Sequence, residues 1–264
     1  MAMTGSSSSG GPSAVDELDR VRAFLWAGFA RTADAVKPIE AGVVLTTPSL
    51  PLVWSVNQLR LTERLGFESL LDLAEQELAG LHYWHIVVEH QLAGADLEVA
   101  LTAAGWKVER DLIMVLAGAA DRPADTSVVV DAEHVEMTDV MKRWHSEGGE
   151  TSAEELAQLV AYSRREASVH QDRLLGVRSS DGQLIAITKL RSDGSTAQVE
   201  DVYTVPEARG RGHARALVTR AVELARDAGH ELIFITADDR DWPKLLYERL
   251  GFRPLGRMWQ FHRE

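Results

Sequence analysis

The stretch Arg209-Gly210-Arg211-Gly212-His213-Ala214 carries the residue types that most directly imply chemistry. An apolar run ending Val202-Tyr203-Thr204-Val205-Pro206 precedes it. A helical period follows, with Ala214, Leu217, Val218, Ala221, Val222 and Ala225 at i, i+3, i+4, i+7, i+8 and i+11. A strand, a glycine-rich turn and a helix start together make an anion site. Glycine lets the backbone approach closely, and the first-turn N–H groups have no intrahelical partners. Arg209 and Arg211 add charge where a pyrophosphate would sit. The stretch therefore implies a phosphorylated ligand. Two common phosphate loops are excluded. A P-loop needs a Gly-Lys pair, and the chain has none. A dinucleotide fingerprint needs a small third residue where Arg215 stands, and Glu231 precedes the next apolar run, Leu232–Ile235, instead of closing it. The pattern that remains is Arg/Gln-x-x-Gly-x-Gly/Ala, matched by Arg209, Gly212 and Ala214.

This pattern resembles the acyl-coenzyme-A pyrophosphate loop of the GNAT-type N-acetyltransferase superfamily, and its setting extends the resemblance. Upstream lie a strand from Thr196 and a Pro206-Glu207 turn; downstream come the long helix, Gly229 as its stop, and a buried strand at 231–236. Trp242-Pro-Lys-Leu-Leu-Tyr-Glu-Arg-Leu-Gly-Phe is similar to the superfamily's final helix, before a last strand at 253–261. The usual Asn ahead of the tyrosine is missing, and Asp239, Arg240 and Asp241 occupy that stretch. The resemblance implies a GNAT fold, α/β (α+β): a central mixed, mostly antiparallel sheet with a splayed strand pair, flanked by helices.

It also implies an activity, acetyl transfer from acetyl-coenzyme A to a primary amine of a small-molecule or peptide acceptor. On that reading Tyr203, Thr204 and Val205 line the acetyl end, and the N–H near Thr204 or Val205 polarises the thioester carbonyl. Pro206 fits the splay, since proline cannot donate to a sheet. Arg209, Gly210, Arg211, Gly212, His213 and Ala214 hold the cofactor, His213 through its backbone. Tyr247 contacts the cofactor and serves as general acid to the leaving thiolate; its competing role is a core aromatic beside Leu250. Glu200 and Asp201 are the candidate bases. Strand alternation puts Glu200, Val202 and Thr204 on one face and Asp201 and Tyr203 on the other. Either carboxylate could instead pair with an arginine. A non-catalytic acyl-coenzyme-A-binding regulatory module is the alternative function.

The elements that position these residues form two halves. A small, polar stretch from Ala117 to Thr126 breaks the periodicity, and we place a linker at 119–126. The catalytic domain spans 127–264: a strand (127–131), helices (136–147 and 152–168), then strands (173–178, 184–191, 196–205) joined through Asp181-Gly182 and Asp193-Gly194. Residues 14–118 read as a degenerate GNAT-like copy. Helix, Gly-aromatic, basic residue and strand recur from Ala95 to Leu116 as they do from Tyr247 to Phe261. The identity Glu-Arg-Leu-Gly-Phe at 63–67 and 248–252 misleads, because a helical period follows Phe67. Nothing before residue 120 matches the glycine loop. Residues 1–13, rich in Ser and Gly, read as a disordered tail with no secretory signal.

Composition narrows the partners. The 264 residues contain no run near the roughly 18–20 apolar residues of a membrane span. Without cysteine there is no disulfide, thiolate metal site or Cys nucleophile. The histidines lack metal spacing, and we expect no metal. A net charge of −12 argues against nucleic acid and suits a protonated amine or simple solubility. These readings give a cytoplasmic enzyme without membrane contact, and they permit an oligomer.

Overall fold

Ser13 opens the described chain as a helix cap: its hydroxyl accepts from the Asp16 N–H, and the Asp16 carboxylate accepts from the Ser13 N–H in return. The computed structural model describes residues 13–147, 149 and 151–263. Apart from Ser13, the tail expected at 1–13 lies outside them. In chain order the elements are α1 (Ala14–Thr32), β1 (Ala35–Ile39), β2 (Gly42–Thr46), β3 (Gln58–Leu61), α2 (Phe67–Leu78), β4 (Trp84–Val88), α3 (Gln91–Ala103) and β5 (Lys107–Leu116). The second half adds β6 (Val129–Asp131), α4 (His134–Glu147), α5 (Ala153–His170), β7 (Arg173–Arg178), β8 (Leu184–Ser192) and β9 (Thr196–Thr204). It ends with α6 (His213–Asp227), β10 (Leu232–Asp238), α7 (Pro243–Arg249) and β11 (Phe252–Arg263).

The strands join one sheet in the order β1-β2-β3-β4-β11-β5-β10-β9-β8-β7-β6. Only β3–β4 and β9–β10 pair in parallel among the described strands; the other neighbours are antiparallel. Each half places its last strand inside the other. β11 lies between β4 and β5, and β5 lies between β11 and β10. The β5–β11 ladder runs from Lys107↔His262 to Leu116↔Phe252. The helix-Gly-aromatic-strand similarity in the sequence is therefore α3–β5 and α7–β11, two counterparts that pair with each other across the centre.

Helices cover both faces. α6 packs Leu217, Val218, Ala221 and Ala225 on the sheet with Val199, Ile233 and Ile235. α2 and α3 bury Leu70, Ala74, Leu97 and Leu101 with Ile86 and Phe261. α1 sets Val21, Phe24 and Leu25 against Ile113, Phe234 and Met258, so the first helix also binds the two halves together. No described helix is long and apolar enough to cross a membrane.

Close approach of α3 to β11 depends on one glycine. A Cβ on Gly94 would stand 2.4 Å from the Trp259 ring, closer than atoms can pack. Gly94→Ala is expected to lower stability by about 1–3 kcal/mol through overpacking, although alanine favours helix. A thermal melt checks this, and an unchanged or raised Tm would contradict it.

Candidate functional site

The functional geometry begins where two parallel strands part. β9 pairs with β10 from Thr196↔Leu232 to Val199↔Ile235 and then stops. Beyond that point β9 continues only on β8, while β10 continues on β5 as far as Asp238↔Asp111. The divergence coincides with a bulge. Lys189 pairs with Glu200 and Ile187 with Tyr203, so Thr188 faces one residue too many on β9. Asp201 takes φ 55°, the left-handed region that Asp tolerates better than most residues. In the N-terminal half the corresponding pair stays closed, with the Glu89 N–H donating to Leu61 O at 3.3 Å.

The bulge corrects the expected strand alternation. One extra residue resets the period of two, and Glu200, Asp201 and Tyr203 all fall on the α4–α5 side. Glu200 reaches Arg191, Asp201 reaches Lys189, and Tyr203 packs with Met137 and Met141. Val202 instead joins the core under α6 and α7.

Behind the bulge lies a buried layer of charge. The Lys189 ammonium, 1 % exposed, sits between Glu166 (3.0 Å) and Asp201. Arg191 grips Asp172 with Nε (3.0 Å) and Nη2 (2.8 Å), and its guanidinium also meets Glu166 (3.0 Å) and Glu200 (3.1 Å). Two cations thus serve four carboxylates. Burial therefore dominates for Glu200 and pushes its carboxyl up to about 8, against the pull of the shared Arg191. Glu166 is also buried, but Lys189 and Arg191 hold it down at about 2. Neither Glu200 nor Asp201 borders the cleft described next. Glu200 faces a narrow space with Phe24, Leu25 and Tyr162.

The parted strands open a cleft of about 610 Å³. Val202, Tyr203 and Thr204 form one wall, and Trp242, Leu246 and Tyr247 the other. Arg209, Gly210, Gly212, His213 and Ala214 close its end, and Arg211 lines a recess of about 310 Å³ next door. Gly210 (φ 75°) and Gly212 (φ 86°) take left-handed conformations, and Gly212 caps α6 with no side-chain acceptor for the first-turn N–H groups. A Cβ at either glycine would meet nothing within 4 Å. The glycines are required by conformation, and they leave a cradle open at the positive end of α6.

Burial marks two of the expected residues, Val205 and Tyr247. Val205 is fully buried, and its N–H donates to Ile185 O at 2.9 Å. That leaves Thr204, on the cleft wall, as the remaining amide of the two considered. Tyr247 is only 6 % exposed, and burial pushes its phenol well above the ordinary value.

Several cleft residues carried no sequence signal. Glu147, at the end of α4, accepts from the Tyr203 hydroxyl and pairs with Arg209 Nη2 at 2.6 Å. These bonds outweigh desolvation and lower its pKa. Tyr203, stacked on Trp144 at 5.5 Å, is raised to about 12 by burial and the same carboxylate. Arg122, in the stretch read as a linker, lines both the cleft and the recess.

Comparison with known proteins bears on the fold that holds this cleft. Residues 136–252 match the model of the acetyltransferase (GNAT) family. Over 110 residues the chain is 31% identical to a mycothiol acetyltransferase of Clavibacter sepedonicus, a stretch that is 41% of this chain and 35% of that relative. A GCN5-related N-acetyltransferase from Kribbella flavida superposes with TM-score 0.61 at 17% identity, over 92% of this chain and 94% of the other. A tandem GNAT protein from the clavulanic acid biosynthesis pathway does so with TM-score 0.55 at 15% identity, over 97% and 90%. A conserved protein of unknown function from Staphylococcus epidermidis gives 0.69 at 12%, over 88% and 94%. At these identities the superpositions speak for the fold.

The shifted Glu200 has a measurable consequence. An unfolded glutamate loses its proton near 4.5, whereas the folded one keeps it to about 8. Between those values the folded state binds the extra proton, so this contribution to stability is lost as pH rises. Glu200→Gln is expected to flatten the decline in unfolding free energy between pH values of about 5 and 8, measured by denaturant titration. A wild-type curve that rises over this window relative to the variant would contradict the assignment.

Proposed function

We propose that the protein transfers an acetyl group from acetyl-coenzyme A to a primary amine: residues 136–252 match the model of the acetyltransferase (GNAT) family, and the whole chain takes a tandem GNAT fold. One observation carries this reading. An open helix N-terminus, built on two left-handed glycines and flanked by Arg209, lies at the end of the cleft between the parted strands. The residues present fit the cofactor. The first-turn amides and arginine suit a pyrophosphate, and the empty cradle over Gly210 and Gly212 admits it without steric conflict.

Each wall then has a task. The Thr204 amide donates to the thioester carbonyl, where negative charge grows as the amine attacks. Tyr247 faces the departing sulfur. Its raised pKa keeps the phenol protonated throughout the neutral range, so its O–H remains a donor to the developing thiolate. The acceptor arrives as an ammonium and must lose a proton before attack. Of the two candidate carboxylates, Asp201 is committed to Lys189, while Glu200 has a proton affinity near neutrality. Glu200 takes that proton only in its ionised form, which grows as pH approaches about 8, and through water, since it stands behind the wall and not on it.

Two experiments test the proposal. Calorimetric titration with acetyl-coenzyme A is expected to give binding that Gly212→Glu abolishes, by filling the cradle with carbon and negative charge. An amine panel, with mycothiol-related amines included because of the matched relative, then supplies the acceptor. With any acetylated amine, Tyr247→Phe is expected to lower kcat by roughly 10²-fold or more while acetyl-coenzyme A binding is kept. Loss of binding without a rate effect would sink the acid assignment, and tight binding with no turnover would indicate a binding module.

A further inference from the structure

The chain carries 40 Asp and Glu against 28 Lys and Arg, so a cation without an acidic partner is unusual in it. Nearly every described arginine has one, or has a carbonyl or ring instead. Among the described residues, four arginine side chains make no hydrogen bond, ion pair or ring contact: Arg122, Arg164, Arg211 and Arg249. Three of these four line the cleft or the recess beside it. Arg164 alone stands elsewhere, exposed on α5. Leaving like charges uncompensated at one place costs free energy through mutual repulsion, unless an anion occupies that place.

Arg122 and Arg211 both line the recess, which shares Gly212 and His213 with the cleft but neither of its two tyrosines. Its two nearby acids are turned to other partners. Asp125 accepts from Ser127, and Asp121 is bonded to Arg215 at 2.7 Å, with Arg122 acting on it only at longer range. Arg122 is also held in place. The Ala117 and Gly118 N–H groups donate to Gly251 O, the Asp121 N–H donates to Arg249 O at 2.8 Å, and Arg215 Nη1 donates to Arg122 O at 3.4 Å. The connector between the halves is thereby pinned against the ends of α6 and α7, and it presents a guanidinium to the recess.

Coenzyme A carries a pyrophosphate and a separate phosphate on its ribose. If the loop amides take the pyrophosphate, the second anion has to lie beside them. Resting on the coenzyme A reading above, we propose that the recess binds the ribose phosphate and that Arg122, together with Arg211, selects for it. The connector is then part of the cofactor site, and the enzyme discriminates against a cofactor that lacks this phosphate. Arg122 determines specificity and takes no part in bond making.

The test is calorimetric titration of the full chain with coenzyme A and with 3′-dephospho-coenzyme A. Wild type is expected to prefer coenzyme A by about tenfold or more, the scale of one dianion meeting partly exposed guanidinium groups. Arg122→Ala is expected to weaken coenzyme A to the level of the dephospho form while leaving the dephospho affinity unchanged. Arg164→Ala, which removes the same charge elsewhere, is expected to change neither affinity. Equal affinities for wild type, or equal weakening of both ligands in Arg122→Ala, would overturn the proposal. Failure of wild type to bind either ligand would overturn the cofactor reading itself. Melting curves of the variants confirm that they are folded.

Discussion

A sheet that must stay hydrogen-bonded cannot open a cleft in its middle unless something forces two strands apart, and here that is the bulge at Asp201. The extra residue turns the end of β9 away from β10, and the space between them becomes the cleft. Asp201 adopts a conformation that most residues avoid, and Lys189 holds its carboxylate there from inside the protein. Lys189 in turn depends on Glu166, and Arg191 on Asp172, Glu166 and Glu200. Removing one partner of such a buried set strands the others without compensation, which is why the layer acts as a unit. The site therefore rests on a charge network that touches no substrate.

The interleaving of β5 and β11 has a second consequence. Each half completes the sheet of the other, so neither presents an exposed central edge that would invite pairing with another chain. The arrangement also carries the connector from the end of β5 past the ends of α6 and α7, where its backbone is bonded to residues 249–251. A degenerate N-terminal half thus supports the second half through shared strands, while its own parallel pair remains closed at Leu61 and Glu89.

The glycine loop, the α6 period and the tyrosine before Leu250-Gly251-Phe252 were legible because their information is local. Spacing on one helix, turn glycines and a short motif need no knowledge of distant contacts. The faces of Glu200 and Asp201 were not legible, because a period-two reading assumes an unbroken ladder and one inserted residue inverts it. Glu147 and Arg122 were hidden for another reason. Glu147 ends an ordinary amphipathic helix, and Arg122 lies in a stretch whose composition reads as linker; only the tertiary fold brings them to the cleft. The exchange of last strands was foreshadowed by the similarity of 95–116 to 247–261, but a similarity does not say which strand pairs with which.

Amide hydrogen exchange with and without acetyl-coenzyme A tests the central claim, that the parted strands and glycine loop of the second half form the one cofactor site among the described residues. The account predicts slowed exchange in 202–216 and 241–247 on addition of acetyl-coenzyme A, and no change in 58–68, where the closed pair β3–β4 leads into α2. Protection centred on 58–68, or no protection anywhere in the chain, would contradict it.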